Sequence, residues 1–184
     1  AAMARAGAVH AVATEDMDAL CCGAPAMVKR FTASEARKLP IIEYRLDKVL
    51  SALNLTMPQF VDFCILCGCD FCGTVRGLGP KTALGMLRRH GTIEGVLAAI
   101  NATPASKFSP PEPFPFQGAR ELLTRPEVTD PAQLLLNFSQ EADEEGLVAF
   151  LCGEKGFSEP RVRAGLAALA KARKGGQQVR IDAF

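Results

Sequence analysis

Three aspartates follow the ends of predicted secondary-structure elements, where a carboxylate can meet a ligand. Asp16 and Asp18 come directly after a predicted strand, and Asp70 comes directly after an apolar helix. Open α/β sheets bind ligands just beyond the carboxyl ends of their strands, and residues two apart on extended backbone face the same way. A carboxylate at the end of a buried helix also needs a cation opposite it. The alternative is that Thr14, Glu15 and Asp16 only cap a short helix over residues 16–21.

A glycine-rich turn follows Asp70 and could bind phosphate. Residues 77–81 read Gly-Leu-Gly-Pro-Lys, with Pro80 set to begin a helix and Lys81 in its first turn. The free N–H groups of a helix N-terminus bind anions, and glycines let a nucleic-acid backbone come close. Lys81 is poorly placed for the helix dipole but well placed for an anion. The alternative is an ordinary corner between two helices.

The predicted elements give an α/β fold. Thr56 and Gln59 form a capping-box pattern, and the residues after them are apolar on nearly every face, so this helix should be interior and should end at Gly68. Residues 101–117 hold five prolines and should be irregular, with Phe108 and the two later phenylalanines of this segment pinning it to the core. We predict strands at 9–13, 26–31 and 41–45, helices at 16–21, 46–53, 56–67, 92–100, 119–124, 143–152 and 158–174, and extended chain at 134–138.

Three segments carry a resemblance to a known family. Residues 61–83, VDFCILCGCDFCGTVRGLGPKTA, resemble the helix–two-turn–helix region of eukaryotic flap endonucleases, which belong to the XPG-type family of structure-specific nucleases. Residues 9–20 resemble the second acidic motif of that family, and residues 150–174 resemble the C-terminal helices of flap endonucleases. The resemblance implies a PIN-like, XPG-type nuclease core, with a partial central sheet flanked by helices, extended by the helix–two-turn–helix region and C-terminal helices.

The resemblance also implies a division of the chain by role. Residues 1–67 would be the C-terminal part of the α/β nuclease core, and 68–100 the helix–two-turn–helix region that binds duplex DNA. Residues 101–174 would form a loop and a C-terminal helical extension, and 175–184 a flexible tail.

The implied activity is that of a 5′ flap endonuclease with 5′–3′ exonuclease activity in DNA replication and repair. Two Mg²⁺ ions would support phosphodiester hydrolysis. Asp16, Asp18 and Asp70 match the catalytic, metal-binding acids of the family. The implied DNA-binding residues are Gly68, Asp70, Arg76, Gly77, Gly79 and Lys81. The same hairpin in this family binds a K⁺ ion through backbone carbonyls, which the sequence does not identify.

The chain departs from the family pattern at its beginning. The other acids of the family's site lie upstream of the matching segment, and the chain opens without an initiator methionine, inside a predicted helix. We therefore interpret it as the C-terminal part of a longer protein, lacking the N-terminal half of the nuclease domain. Three carboxylates cannot hold both metals, so we expect the isolated chain to be inactive. Thr82 also stands where a second basic residue is usual, which should weaken hairpin binding.

The last seven residues fit the pattern Q-x-x-I-x-x-F, through Gln178, Ile181 and Phe184. This resembles the peptide by which flap endonucleases bind the sliding clamp PCNA, although the usual motif ends in two aromatic residues. The implied partners are flapped double-stranded DNA and PCNA, and the implied protein is a monomer of the nucleus and also of the mitochondrion. The apolar runs are too short for a membrane span.

Two alternatives remain open. The first is a non-catalytic helix–two-turn–helix module that binds DNA, although the net charge of +1 gives no overall basic field. The second is a cysteine-rich zinc or iron–sulfur protein, because Cys64, Cys67, Cys69 and Cys72 are spaced C-x₂-C-x-C-x₂-C. Against a thiolate site, the first two of these lie in an apolar helix, where cysteine behaves as a small hydrophobe. The seven cysteines suit a reducing compartment.

Overall fold

The structure, a computed structural model, describes residues 1–31, 39–103, 106–136 and 142–174. The chain divides into two compact units, Ala1–Leu134 and Leu135–Phe184. The four segments predicted from the sequence are defined by role and not by compactness, so they stay a prediction.

A small mixed sheet lies in the first unit. Strand β1 (Val12–Ala13) pairs in parallel with β2 (Ala26–Lys29), which pairs antiparallel with β3 (Ile42–Arg45). Met27 is the central contact, since it lies opposite Val12 on one side and Tyr44 on the other, and its side chain is fully buried. All three predicted strands are present but shorter than predicted, and the fold is mixed α/β as expected.

The first unit also has seven α-helices within the described residues, of which α2 and α3 pack on the sheet. They are α1 (Ala2–Arg5), α2 (Asp18–Cys21), α3 (Leu46–Leu53), α4 (Met57–Cys67), α5 (Pro80–His90), α6 (Ile93–Asn101) and α7 (Phe116–Thr124). Among the described residues no single helix is long and apolar enough to cross a membrane, and α3 and α4 meet that criterion only as a pair bent by 79°.

Helix α4 is the centre of the first unit. Thr56 and Gln59 form the predicted capping box, with the Gln59 N–H donating to Thr56 Oγ1 at 3.4 Å and the Thr56 N–H donating to Gln59 Oε1 at 3.0 Å. Its buried face includes Val61 and Ile65 and packs against α5, α6 and α7. The helix ends at Gly68, whose φ of +117° favours glycine. The position of Asp70 is therefore set by a helix anchored in the core.

The proline-rich segment is irregular where described, and aromatic side chains attach it to the core as predicted. Phe116 is buried, and Phe108 and Phe114 pack on the same hydrophobic cluster. Helix α7 begins at Phe116, three residues before the predicted start at residue 119, because this phenylalanine is part of the first buried turn.

The second unit is helical in its described part. Asp143 caps α8 (Glu144–Val148), accepting a hydrogen bond from the Gly146 N–H at 2.9 Å, and a π-helical stretch continues it over Ala149–Glu154. The last helix, α9 (Glu159–Lys174), agrees with the prediction. Val148, Val162 and Leu166 form the small core of this unit. Residues 137 and 138 of the predicted extended segment lie outside the described residues.

Candidate functional site

All three predicted acids line one open cleft in the first unit. Asp16 and Asp18 reach it from the loop after β1 and the start of α2, and Asp70 reaches it from the turn after α4. The cleft has a volume of about 360 Å³. Its other walls include Ala1, Val12, Thr14, Ala19, Cys22, Phe71, Leu122, Leu123 and Pro126. Residues more than fifty positions apart in the sequence thus share one acidic surface.

The charge in this cleft is crowded. Partial burial raises the pKa of Asp18 above its ordinary value, and the neighbouring carboxylates of Asp16 and Asp70 raise it further. Both causes disfavour the ionised carboxylate. A cation in the cleft would reverse the balance, because it would attract all three carboxylates. The donors are hard oxygens, which suit Mg²⁺.

The local geometry of Asp16 bears on the capping alternative. The Asp16 N–H donates to Thr14 Oγ1 at 3.1 Å, and Asp16 Oδ1 accepts a hydrogen bond from the Asp18 N–H at 2.9 Å. Asp16 therefore does satisfy the first N–H of α2, which begins at Asp18 and not at residue 16 as predicted. A carboxylate has two oxygens, so this hydrogen bond is compatible with a metal ligand at the other one.

The three acids share the cleft without converging on a point. Within the described ranges, no group of three or more histidine, cysteine, aspartate or glutamate side chains is placed to hold a metal ion. The carboxylates are close enough to perturb one another, but further ligands would be needed to enclose a metal.

Glycines shape the turns between α4 and α5. Gly77 has a φ of +83°, and a Cβ built on it would lie 2.8 Å from the Lys107 carbonyl oxygen, so no other residue fits without a backbone shift. A Cβ on Gly68 would lie 3.0 Å from Thr74 Cγ2. Gly79 faces open space and caps α5, where Pro80 occupies the first turn. The predicted basic residue Lys81 is exposed beside them.

A further basic residue, Lys107, lies next to this hairpin and was not predicted from the sequence. The loop that contains Lys107 pairs with the hairpin through two hydrogen bonds, from the Arg76 N–H to the Ser109 carbonyl at 2.8 Å and from the Ser109 N–H to the Arg76 carbonyl at 3.1 Å. Arg76 and Lys107 are both exposed. The only sequence signal was a lysine inside a proline-rich loop, which does not indicate where the loop packs.

An ion-pair network in the core was also missed. Asp62, on α4, is 3% exposed and accepts hydrogen bonds from Arg120 Nε at 2.8 Å and Nη2 at 3.0 Å. Its Oδ2 also accepts the Ile93 N–H at the start of α6, at 3.1 Å. Arg120 donates in addition to both carboxylate oxygens of Glu94, at 3.0 and 3.1 Å. The hydrogen bonds from Arg120 lower the pKa of Glu94 to about 2. One arginine on α7 therefore links α4 and α6.

The four cysteines of the predicted thiolate site do not lie together in one cluster. The Cys64 thiol faces Cys21, and this hydrogen bond together with burial strongly raises its pKa. Cys69 and Cys72 form a separate pair, with their sulfur atoms 3.7 Å apart. Burial, and then the hydrogen bond with Cys69, raise the pKa of Cys72 to about 11, so this thiol is protonated at neutral pH. In the part of the chain that the structure describes, these residues do not form a four-thiolate site.

The predicted clamp-binding residues Gln178, Ile181 and Phe184 lie outside the described residues.

Known proteins similar to this chain are nucleases. A family model described as "XPG I-region" matches residues 1–70. Flap endonuclease 1 of Caenorhabditis elegans is 47% identical over 182 residues, which is 99% of this chain and 47% of the relative. Flap endonuclease 1-B of Xenopus laevis is 49% identical over 184 residues, which is 100% of this chain and 47% of the relative. The chain spans about half the length of the curated relatives it matches.

Solved structures of nucleases also have a fold similar to that of this chain. The flap endonuclease-1 from Methanococcus jannaschii superposes with a TM-score of 0.62 at 28% identity, covering 90% of this chain and 47% of that one. The catalytic core of Rad2 in complex with a DNA substrate superposes with a TM-score of 0.68 at 18% identity, covering 92% of this chain and 60% of that one. The predicted α/β fold of the XPG type is confirmed by these likenesses.

Proposed function

We propose that this chain, which belongs to the XPG-type family of structure-specific nucleases, provides one half of a two-metal active site that cleaves flapped DNA. The observation that carries the proposal is the shared cleft: Asp16, Asp18 and Asp70 come together from separate elements, next to a glycine-shaped hairpin. The parent protein is a 5′ flap endonuclease with 5′–3′ exonuclease activity. It acts as a monomer in DNA replication and repair, in the nucleus and also in the mitochondrion.

The acids of the cleft would hold Mg²⁺ together with acids from the other half of the nuclease domain. Bound there, the metal ions supply positive charge and an activated water for phosphodiester hydrolysis. The raised pKa of Asp18 supports this assignment, because crowded carboxylates gain most from a cation. Asp16 is oriented by its hydrogen bond to the Asp18 N–H, and Asp70 is oriented by the buried helix that ends beside it.

The hairpin would bind the phosphates of duplex DNA. The N–H groups at the start of α5 attract anions, and Gly79, which faces open space, leaves room for a DNA backbone. Gly77 would contribute by forming the tight turn of the hairpin, since its φ is positive and the Lys107 carbonyl fills the space beside it. Arg76, Lys81 and Lys107 are exposed at the hairpin and the loop paired with it, and their charges suit the same ligand. A K⁺ ion on hairpin carbonyls belongs to this proposal. Contacts of Gly68 and Asp70 with the scissile strand are also part of this proposal.

Removing the Lys107 charge should weaken DNA binding without affecting folding. For Lys107→Ala we expect a dissociation constant about 5-fold higher for duplex DNA at moderate salt, and a salt slope smaller by about 0.9, because one phosphate contact is lost. Lys81→Ala should behave in the same way. Fluorescence anisotropy over a range of salt concentrations measures both quantities. Lys48→Ala, an exposed lysine on α3, is the matched control and should leave both unchanged. An unaltered slope for Lys107→Ala would remove this residue from the interface.

The isolated chain should bind DNA but not cleave it. The three acids do not enclose a metal ion, and the relatives are about twice as long as this chain. A chimera in which the N-terminal half of the nematode relative precedes Ala1 should cleave a 5′-flap substrate in Mg²⁺, whereas the 184-residue chain should not. Gel analysis of a labelled flap substrate measures this. Rapid cleavage by the isolated chain would contradict the shared-site proposal. An inactive chimera that is folded and binds DNA would favour the non-catalytic module.

Clamp binding through the last seven residues forms a further part of the proposal. The motif would bury Ile181 and Phe184 in an apolar pocket of PCNA, with Gln178 forming a hydrogen bond beside it. Phe184→Ala should weaken binding to immobilised PCNA at least 10-fold, since a buried phenylalanine contributes about 2 kcal/mol or more. Surface plasmon resonance measures this, with Arg180→Ala as a control at a variable position of the motif. Equal binding by wild type and Phe184→Ala would refute the assignment.

A further inference from the structure

Two thiols are in contact across the turn that presents Asp70 to the cleft. The sulfur atoms of Cys69 and Cys72 lie 3.7 Å apart, and the two residues form an isolated antiparallel bridge. Asp70 and Phe71 therefore occupy the tip of a tight turn. Both cysteines are partly buried against the hydrophobic core, which limits the directions their side chains can take.

We propose that Cys69 and Cys72 are a redox-active modification site that a small-molecule disulfide, such as oxidised glutathione, converts to an intramolecular disulfide. Directly opposed residues of an antiparallel pair have Cα atoms about 4.5–5.5 Å apart, which lies within the range of about 4.4–6.8 Å found in disulfides. The sulfur atoms have to approach from 3.7 Å to about 2.05 Å, which side-chain rotation can supply.

The chemistry balances with glutathione as the only co-reactant. One cysteine sulfur attacks oxidised glutathione, forms a mixed disulfide and releases one reduced glutathione. The second cysteine sulfur then attacks the protein-bound sulfur of that mixed disulfide and displaces the second glutathione. The protein loses two electrons and two thiol protons, and both are gained by the two glutathione molecules. The contact between the two thiols makes the second step intramolecular and fast.

The other cysteines are less suited to this reaction. Cys64 lies within α4 with its thiol against Cys21, which is 2% exposed, so a small-molecule disulfide has little access. Cys67 is exposed at the end of the same helix, but within the described residues it has no sulfur contact like that between Cys69 and Cys72. The turn, in contrast, is flanked by Gly68 and Gly73, which allow small backbone adjustments. A disulfide between Cys69 and Cys72 would restrict the motion of the turn that carries Asp70. This consequence for catalysis rests on the proposed function, whereas formation of the disulfide does not.

Thiol counting tests the proposal on the whole chain. The protein is incubated for hours with oxidised glutathione at about pH 8.5, because thiol–disulfide exchange proceeds through the thiolate and is faster at alkaline pH. It is then acid-quenched, alkylated and weighed by mass spectrometry. We expect the number of alkylated cysteines to fall from seven to five, with no glutathione attached to the protein. Treatment with dithiothreitol should return the number to seven. Tandem mass spectrometry of the wild type should map the link to residues 69 and 72.

Single variants provide the matched comparison. Cys67→Ser should still form the disulfide, whereas Cys69→Ser and Cys72→Ser should retain one glutathione adduct because no resolving thiol lies in contact. Seven free thiols in oxidised wild type would overturn the proposal, and so would a link mapped to any other pair. The readout does not depend on DNA cleavage, so failure of this proposal is distinguishable from failure of the proposed function.

Discussion

Replacing Asp70 with asparagine should lower flap cleavage by the chimeric enzyme by about 10³-fold, with little change in DNA affinity. The substitution keeps the size of the side chain and removes one of the three negative charges that line the cleft. Metal-ion catalysis contributes several kcal/mol to phosphoryl chemistry, and each 1.36 kcal/mol is about a factor of ten in rate. Single-turnover cleavage of a labelled flap at saturating enzyme measures the chemical step, and fluorescence anisotropy measures the affinity.

The same substitution at Asp16 and Asp18 tests whether the three acids act together. Asp18→Asn should be as damaging as Asp70→Asn. Asp16→Asn keeps a side-chain oxygen for the Asp18 N–H and should lose only the charge. Asp47→Asn, on the exposed face of α3, is the matched control and should cleave like the unmodified chimera. An active Asp70→Asn enzyme would show that the cleft is not the catalytic centre. Excess Mg²⁺ should restore part of the lost rate if the defect is weaker metal binding.

Local sequence patterns predicted the helix and the strand that carry the cleft residues, because such patterns depend only on neighbouring residues. The capping box at Thr56 and Gln59 fixed the start of α4, and the all-round apolar pattern after it correctly indicated an interior helix. The predicted strand at 9–13 is present only as Val12–Ala13, because a strand requires a paired partner and only these two residues pair with β2, at Met27 and Val28. The placement of Asp70 in the same cleft as Asp18 was predicted from the family resemblance and not from spacing.

Contacts between distant segments were beyond the reach of sequence patterns. Lys107 lies beside Gly77 because an irregular loop folds back and pairs with the hairpin through Ser109 and Arg76, and no periodicity describes such a loop. Asp62 occupies a buried position of α4, and its partner Arg120 is 58 residues away, beyond the proline-rich segment. An acid inside an apolar helix does signal that a buried cation is needed, but the sequence offers many arginines and lysines as candidates.

The buried aspartate leads to the largest stability effect that we expect in the first unit. Asp62→Ala should lower the free energy of unfolding by about 3 kcal/mol, because it leaves Arg120 without its buried partner and the Ile93 N–H without an acceptor. The loss should fall short of the greatest values known for broken buried pairs, since Arg120 keeps Glu94 and its side chain is 32% exposed. Urea unfolding followed by circular dichroism measures the change.

Two comparisons separate the charge from the hydrogen bonds. Asp62→Asn retains an oxygen for the Ile93 N–H and should cost about half as much as Asp62→Ala. Glu43→Ala removes an exposed ion pair to Arg45 at 4.0 Å and should cost less than about 0.5 kcal/mol. A loss below about 1 kcal/mol for Asp62→Ala would show that the network is dispensable.

Since α4 ends at the turn bearing Asp70 and α7 contributes Leu122 and Leu123 to the cleft wall, a weakened Asp62–Arg120 link should loosen both sides of the cleft. In the chimera, Asp62→Ala should therefore raise the Mg²⁺ concentration needed for half-maximal cleavage, which Glu43→Ala should leave unchanged.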